Sequence, residues 1–213
     1  MHEAGYRLIT PTYTGLGERE HLANPSNDLE THIQDLLNVI KYEDLREIVL
    51  VGHSYGGMVA TGVADRMRDL IEQLIYLDAF VPQDGQALCD LIPLDSRHRM
   101  LESVKTGDGW RVPSNPLPPD TSEADLKWIA ERRLPQSVKC FEMHLRLLHG
   151  ELTLPRSYVY CTRTAPGDFF RPFAELAKGE LGWRYYEMDA SHSPHITAPE
   201  NLAALLDTMI SQR

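Results

Sequence analysis

Apolar runs of four to eight residues alternate with amphipathic stretches along most of the chain. Residues 6–13, Tyr6-Arg7-Leu8-Ile9-Thr10-Pro11-Thr12-Tyr13, read as a short strand ended by Pro11. From Asn27 to Tyr42 the period becomes helical: Leu29, Ile33, Leu36, Leu37 and Ile40 share a face, and Asp28 and Glu30 lie in the first turn, where the helix dipole favours them. His32 reads as a solvated position on that helix. A strand over 47–51 runs into a helix over roughly 56–68 that packs Met58, Val59, Val63 and Met67. Further strands are predicted at 74–82, 157–162 and 183–188, and a last helix from Pro199 to Ile210 with Leu202, Leu205, Leu206 and Met209 on one face.

Strands alternating with helices in this way predict an α/β fold, a mostly parallel sheet with helices on both faces. The run Leu74-Ile75-Tyr76-Leu77-Asp78-Ala79-Phe80 is apolar except for Asp78, as expected of a strand covered on both sides. A carboxylate there is expensive unless it is paired. Residues 83–154 break the alternation. Pro113, Pro116, Pro118 and Pro119 cluster near Gly107 and Gly109, among charged helical pieces at 122–132 and 137–148. The core is therefore assigned to 1–82 and 155–213, and 83–154 to an excursion of the kind that covers an active site.

The chemistry centres on Gly52-His53-Ser54-Tyr55-Gly56 between the strand and the helix. A glycine-flanked serine at a strand-to-helix turn is the pattern of an exposed nucleophile, with the helix N-terminus beneath it aimed at developing negative charge. A serine hydroxyl needs a base, and the base an orienting acid. Ligands in such sheets gather at the C-terminal ends of the strands. Asp189-Ala190-Ser191-His192-Ser193-Pro194-His195 follows the last strand. It offers His192 and His195, with His192 preferred because it lies nearer the strand end. Asp78, at the tip of the strand after the nucleophile strand, is one candidate acid; Asp168, in the loop beginning at Arg163, is the alternative. His53 is expected to pack or hydrogen-bond within the elbow.

Composition narrows the classes. A chain of 213 residues with 42% apolar residues can bury a core, and a net charge of −10 without a basic run argues against nucleic acid. The absence of a run near 18 apolar residues argues against a membrane span. Cys89, Cys140 and Cys161 are odd in number and widely spaced, which suits a reducing, cytoplasmic setting; Cys161 reads as core. Met1 to Gly5 show no leader pattern. No metal spacing is found. The glycine loop Thr14-Gly15-Leu16-Gly17-Glu18-Arg19 has Glu20 where a dinucleotide loop needs a third glycine.

Pro11 to Arg19, Gly52 to Gly57, Leu77-Asp78-Ala79-Phe80-Val81-Pro82, and Ser191-His192-Ser193-Pro194 with Pro199-Glu200 resemble bacterial α/β-hydrolase-fold esterases, a group that includes plant methylesterases and hydroxynitrile lyases. The resemblance implies that Ser54 is the nucleophile, His192 the base, the Tyr55 N–H an oxyanion donor and the excursion a cap. It implies a carboxylesterase for small or medium esters that forms an acyl-enzyme, needs no cofactor or metal, and binds a small-molecule ester; a homodimer is compatible. A hydroxynitrile-lyase-like C–C lyase and a catalytically impaired binding protein on the same scaffold are the rival expectations. Plant members carry their acid after the penultimate strand, where Thr164 stands here, whereas haloalkane dehalogenases place it on the strand that Asp78 occupies. Members also open with a strand and a His-Gly loop ahead of the segment that begins here near Gly5. That opening supplies a second oxyanion N–H, worth about 100- to 1,000-fold in rate, and a central strand.

Overall fold

The computed structural model describes Met1, residues 4–164 and residues 168–212. His2 and Glu3, in the stretch read for a leader, and Ala165 to Gly167, in the loop before Asp168, lie outside the described residues. In chain order the core contains α1 (Leu29–Tyr42), β1 (Ile48–Ser54), α2 (Gly56–Arg66) and β2 (Ile71–Ala79). The excursion adds α3 (Leu94–Thr106), β3 (Arg111–Val112), α4 (Glu123–Ala130), β4 (Gln136–Ser137) and α5 (Lys139–Glu142). The core resumes with β5 (Arg156–Cys161), α6 (Arg171–Gly179), β6 (Trp183–Met188), α7 (Pro194–Thr197) and α8 (Pro199–Ser211).

Four strands form one sheet in the order β1-β2-β5-β6, every pair parallel. β3 and β4 make a separate antiparallel ribbon. The period of two along β2 divides the core. Leu74 and Tyr76 pack in one layer with residues of α1, α2 and α6, and Ile75 and Leu77 in the other with Leu202 and Met209 of α8. Helices thus cover both faces, as the alternation predicts. Asp28 caps α1 by accepting from the Thr31 N–H at 2.8 Å.

Three local expectations are corrected. Residues 6–13 do not form a strand. They carry no regular secondary structure; their first residues are fixed by side chains, the Tyr6 hydroxyl donating to Asp207 at 2.9 Å and Arg7 to Glu43 at 2.6 Å, and among the described residues no strand of the sheet pairs with them. His32 is buried, not solvated. It stands three residues after Leu29 and four before Leu36, and so falls on the apolar face. The helix expected over 137–148 is only the single turn α5, while α3 forms where none is assigned.

The two edges of the sheet differ. β6 carries Arg184 and Glu187 on exposed positions, the charged pattern that keeps an edge from pairing. β1 opens Ile-Val-Leu-Val with no charge, a composition suited to a central strand, yet among the described residues it pairs with β2 alone and leaves Val51 40% exposed.

The close approach of α2 to the strand tips rests on glycine. A methyl group on Gly57 would collide with the carbonyl oxygen of Phe80, and one on Gly52 would lie 2.7 Å from the carbonyl oxygen of Gly56. Both obstacles are backbone and cannot swing away. Gly57→Ala is therefore expected to destabilise the fold by about 2–3 kcal/mol, a drop of roughly 5–10 °C in Tm. Thermal unfolding followed by circular dichroism checks this; an unchanged Tm would mean the helix can shift off the sheet freely.

Candidate active site

Ser54 ends β1 with φ +53°, in the left-handed region that a residue with a Cβ occupies only when its surroundings force it there. The forcing is visible. The β1–β2 register slips between His53 and Ser54, and the Ser54 carbonyl accepts from the Phe80 N–H at 3.2 Å while α2 starts at once. The turn places Ser54 at the N-terminus of an 11-residue helix, where backbone N–H groups and the helix dipole favour an anion. Tyr55 is the N-cap of that helix.

Asp78 is also left-handed, with φ +43°, one residue before the end of the neighbouring strand. Its carboxylate is 4% exposed and occupied on both oxygens. Oδ1 accepts from the Cys161 N–H at 3.2 Å, and Oδ2 accepts from His192 Nδ1–H at 2.7 Å. Burial raises the carboxyl above its ordinary value, while the hydrogen bond and charge of His192 and the Cys161 N–H pull it back. The backbone just beyond is braced by the buried Tyr158 hydroxyl, which accepts from the Ala79 N–H at 3.2 Å and donates to the Ala79 carbonyl at 3.0 Å.

His192 sits in the loop between β6 and α7. Phe170 stacks on its ring at 4.6 Å and 10°, and the His53 ring lies 4.7 Å away, tilted by 36°. With Nδ1 bound to Asp78, Nε2 is the nitrogen left to meet a proton. His195 packs edge-on against His53 at 4.8 Å. The structure thus joins His192 to Asp78. Asp168 is committed locally: it accepts from the Tyr160 hydroxyl at 2.6 Å and from the Phe170 and Arg171 N–H groups at 3.0 and 3.2 Å.

The far side of the elbow is an aromatic cluster. The Tyr55 hydroxyl donates to His32 Nδ1 at 2.9 Å, and His32 Nε2–H donates to the Thr14 carbonyl at 3.2 Å. Burial lowers the pKa of His32, in keeping with this neutral tautomer. Tyr13 stacks on His32 at 4.6 Å, and Phe141 of the excursion packs on Tyr55 at 5.5 Å. The glycine loop is tied to α1 through Asp35, which accepts from the Thr14 N–H and hydroxyl at 2.6 and 2.8 Å and pairs with Arg19 at 2.9 Å. At the excursion's other end, the fully buried Asp65 carboxylate accepts from the Leu148 and His149 N–H groups at 2.5 and 3.2 Å.

Phe170, Tyr158 and the Cys161 N–H carry no signal in the sequence, because each acts on the site from a strand or loop distant along the chain. His53 does carry one, its place beside the serine; what the sequence could not show is its partner, a carbonyl 139 residues away. Among the described residues no group of three or more His, Cys, Asp or Glu side chains is placed to hold a metal ion, and no helix is long and apolar enough to cross a membrane.

Comparison with known proteins agrees with this architecture. A carbendazim-hydrolysing esterase of Nocardioides sp. (strain SG-4G) is 37% identical over 218 residues, spanning 97% of this chain and 89% of that protein. An extracellular alpha/beta-hydrolase from a Paenibacillus species, described as sharing structural and functional homology with tobacco salicylic acid binding protein 2, superposes with a TM-score of 0.82 at 26% identity, over 97% of this chain and 88% of the other. A methylesterase from Arabidopsis shares the fold, with a TM-score of 0.77 at 20% identity over 100% of this chain and 90% of its own. The profile of the alpha/beta hydrolase family matches residues 2–205, and the chain, with its parallel sheet and its serine turn at the strand tips, belongs to that family.

Proposed function

We propose that the protein is a serine hydrolase that cleaves small or medium carboxylic esters through an acyl-enzyme intermediate. The observation that carries this reading is the left-handed Ser54 at the tip of β1 together with the 2.7 Å bond between His192 Nδ1–H and Asp78 on the neighbouring strand tip. Ser54 Oγ attacks the ester carbonyl carbon as His192 Nε2 takes the hydroxyl proton. Asp78 holds the imidazole in the Nδ1–H tautomer and stabilises the imidazolium. The Tyr55 N–H donates to the oxyanion. Collapse of the tetrahedral intermediate expels the alcohol, which receives the proton from His192. A water, deprotonated by the same nitrogen, then releases the acid and regenerates Ser54. No cofactor enters these steps. The excursion 83–154 acts as the cap, in keeping with the packing of Phe141 on Tyr55. The buried free cysteines suit a reducing, cytoplasmic setting.

The open edge of β1 beside Ser54 favours a second reading, a hydrolase scaffold with impaired chemistry. One labelling experiment separates the two. A fluorophosphonate probe is expected to modify the protein once, with the mass added to the peptide that contains Ser54, and p-nitrophenyl esters, together with carbendazim as the compound named for the Nocardioides relative, form the substrate panel. An unlabelled protein, or a label on another residue, would overturn the nucleophile assignment.

A further inference from the structure

His53 is a side chain at the elbow that the acyl-transfer chemistry does not use. Its ring is tilted 36° to that of His192 and lies 4.8 Å from that of His195, and its Nε2 is 2.6 Å from the backbone carbonyl oxygen of His192. A carbonyl oxygen only accepts, so Nε2 carries the hydrogen. Removal from water, with His192 and His195 alongside, holds the His53 pKa down to about 3, so the ring stays neutral with that single N–H.

The contact matters because of where it lands. Asp78, Phe170 and the face of His53 fix the His192 ring, but a ring is only as well placed as the backbone that carries it. The loop from Asp189 to Ser193 is tied down by the Ala190 N–H bonding to the Met188 carbonyl at 2.8 Å and by the Arg163 N–H bonding to the Ala190 carbonyl at 3.0 Å. Ser191 Oγ meets Thr197 Oγ1 at 3.1 Å, and the tie from His53 falls on His192 itself. Its other end is the residue bonded to Ser54. A single side chain therefore fastens the loop bearing the base to the turn bearing the nucleophile.

We infer that His53 is a positioning residue, whose Nε2–H, bonded to the His192 carbonyl, sets the distance between His192 and Ser54. This rests on the reading of Ser54 and His192 given above. Misplacement of reacting groups by a fraction of an ångström is felt in the turnover step and little in substrate binding.

The test uses His53→Phe, which keeps a ring of similar size and deletes the donor, and His53→Gln, whose amide nitrogen falls near the place of Nε2. With p-nitrophenyl acetate, H53F is expected to lose about 10- to 100-fold in kcat with KM changed by less than about threefold, and H53Q to regain most of the loss. In proton NMR, the downfield resonance of the hydrogen between His192 and Asp78 is expected in the wild type and H53Q, and to broaden or vanish in H53F. A purely space-filling role would leave that resonance and kcat untouched in H53F. Such a result overturns the inference, as does an equal loss in H53Q and H53F. Should H53F fail to fold, nitrogen-15 spectra of the wild-type histidines decide: a proton on His53 Nε2 supports the assignment, and one on Nδ1 overturns it. A wild type that neither reacts with fluorophosphonate nor turns over esters would refute the proposed function instead; the NMR comparison would still decide the role of His53.

Discussion

Ser54→Ala is expected to lower p-nitrophenyl acetate hydrolysis by roughly 10^4- to 10^6-fold, to the level left by binding and oxyanion contacts alone. The size follows from the division of labour at the elbow. In the proposed mechanism His192 and Asp78 activate one hydroxyl, and without it there is none to deprotonate. The substitution is also structurally mild. Ser54 already bears a Cβ in a left-handed conformation, so alanine inherits the same backbone strain and adds none. The elbow's hydrogen bond runs through the Ser54 carbonyl, which the variant keeps. Tm should therefore stay near that of the wild type while activity disappears. Activity within tenfold of the wild type, measured as kcat/KM on purified protein, would rule Ser54 out as the nucleophile.

Asp78→Asn follows, with an expected loss of about 10^4-fold in kcat. The carboxylate faces two donors, Cys161 N–H on Oδ1 and His192 Nδ1–H on Oδ2. An asparagine has one acceptor oxygen. If that oxygen faces His192, the amide NH2 opposes the Cys161 N–H in a buried site. If it faces Cys161, the NH2 opposes Nδ1, which must then give up its hydrogen. The proton moves to Nε2, the nitrogen that should receive one from Ser54. The buried donor–donor clash disfavours the first orientation, and the second removes the working base without changing the shape of the pocket. Asp168→Asn is expected to change kcat by less than about tenfold, since its partners are Tyr160, Arg171 and the backbone around Phe170. The residual effect comes through Phe170, which stacks on His192. A larger loss from Asp168→Asn than from Asp78→Asn would transfer the role of the acid to the later loop.

These residues show what a sequence reveals and what it hides. The elbow is legible because its physics is local: strand, tight turn and helix occupy consecutive residues, and only glycine fits where α2 meets the tips of β1 and β2. The strand over 183–188 is legible for the same reason and is found with those bounds. Asp78 is half legible. Its isolation in an apolar run demands a partner, but which partner depends on β1, β2, β5 and β6 lying in that order. The strand expected over 6–13 fails because pairing is not a property of one segment. Tyr6 to Tyr13 has the composition of a strand and lacks a neighbour. His32 was hidden less by distance than by its identity: a polar residue on an apolar helix face is buried once Tyr55 and Thr14 supply its hydrogen bonds.

The bare side of β1 has a consequence for how the molecule loosens. A central strand is held by two ladders, and losing one leaves it in place. β1 has one ladder, with β2, and is otherwise held by side-chain packing, by the glycine-lined contact with α2 and by the His53 bond to the His192 loop. Its tip is also where backbone strain is stored, at Ser54 and across the ladder at Asp78. On the proposed reading the nucleophile thus rides on an edge strand held by one ladder, and partial opening from that side takes the serine with it while β2, β5 and β6 remain assembled. In this protein the loss of the site and the loss of the fold need not be the same event.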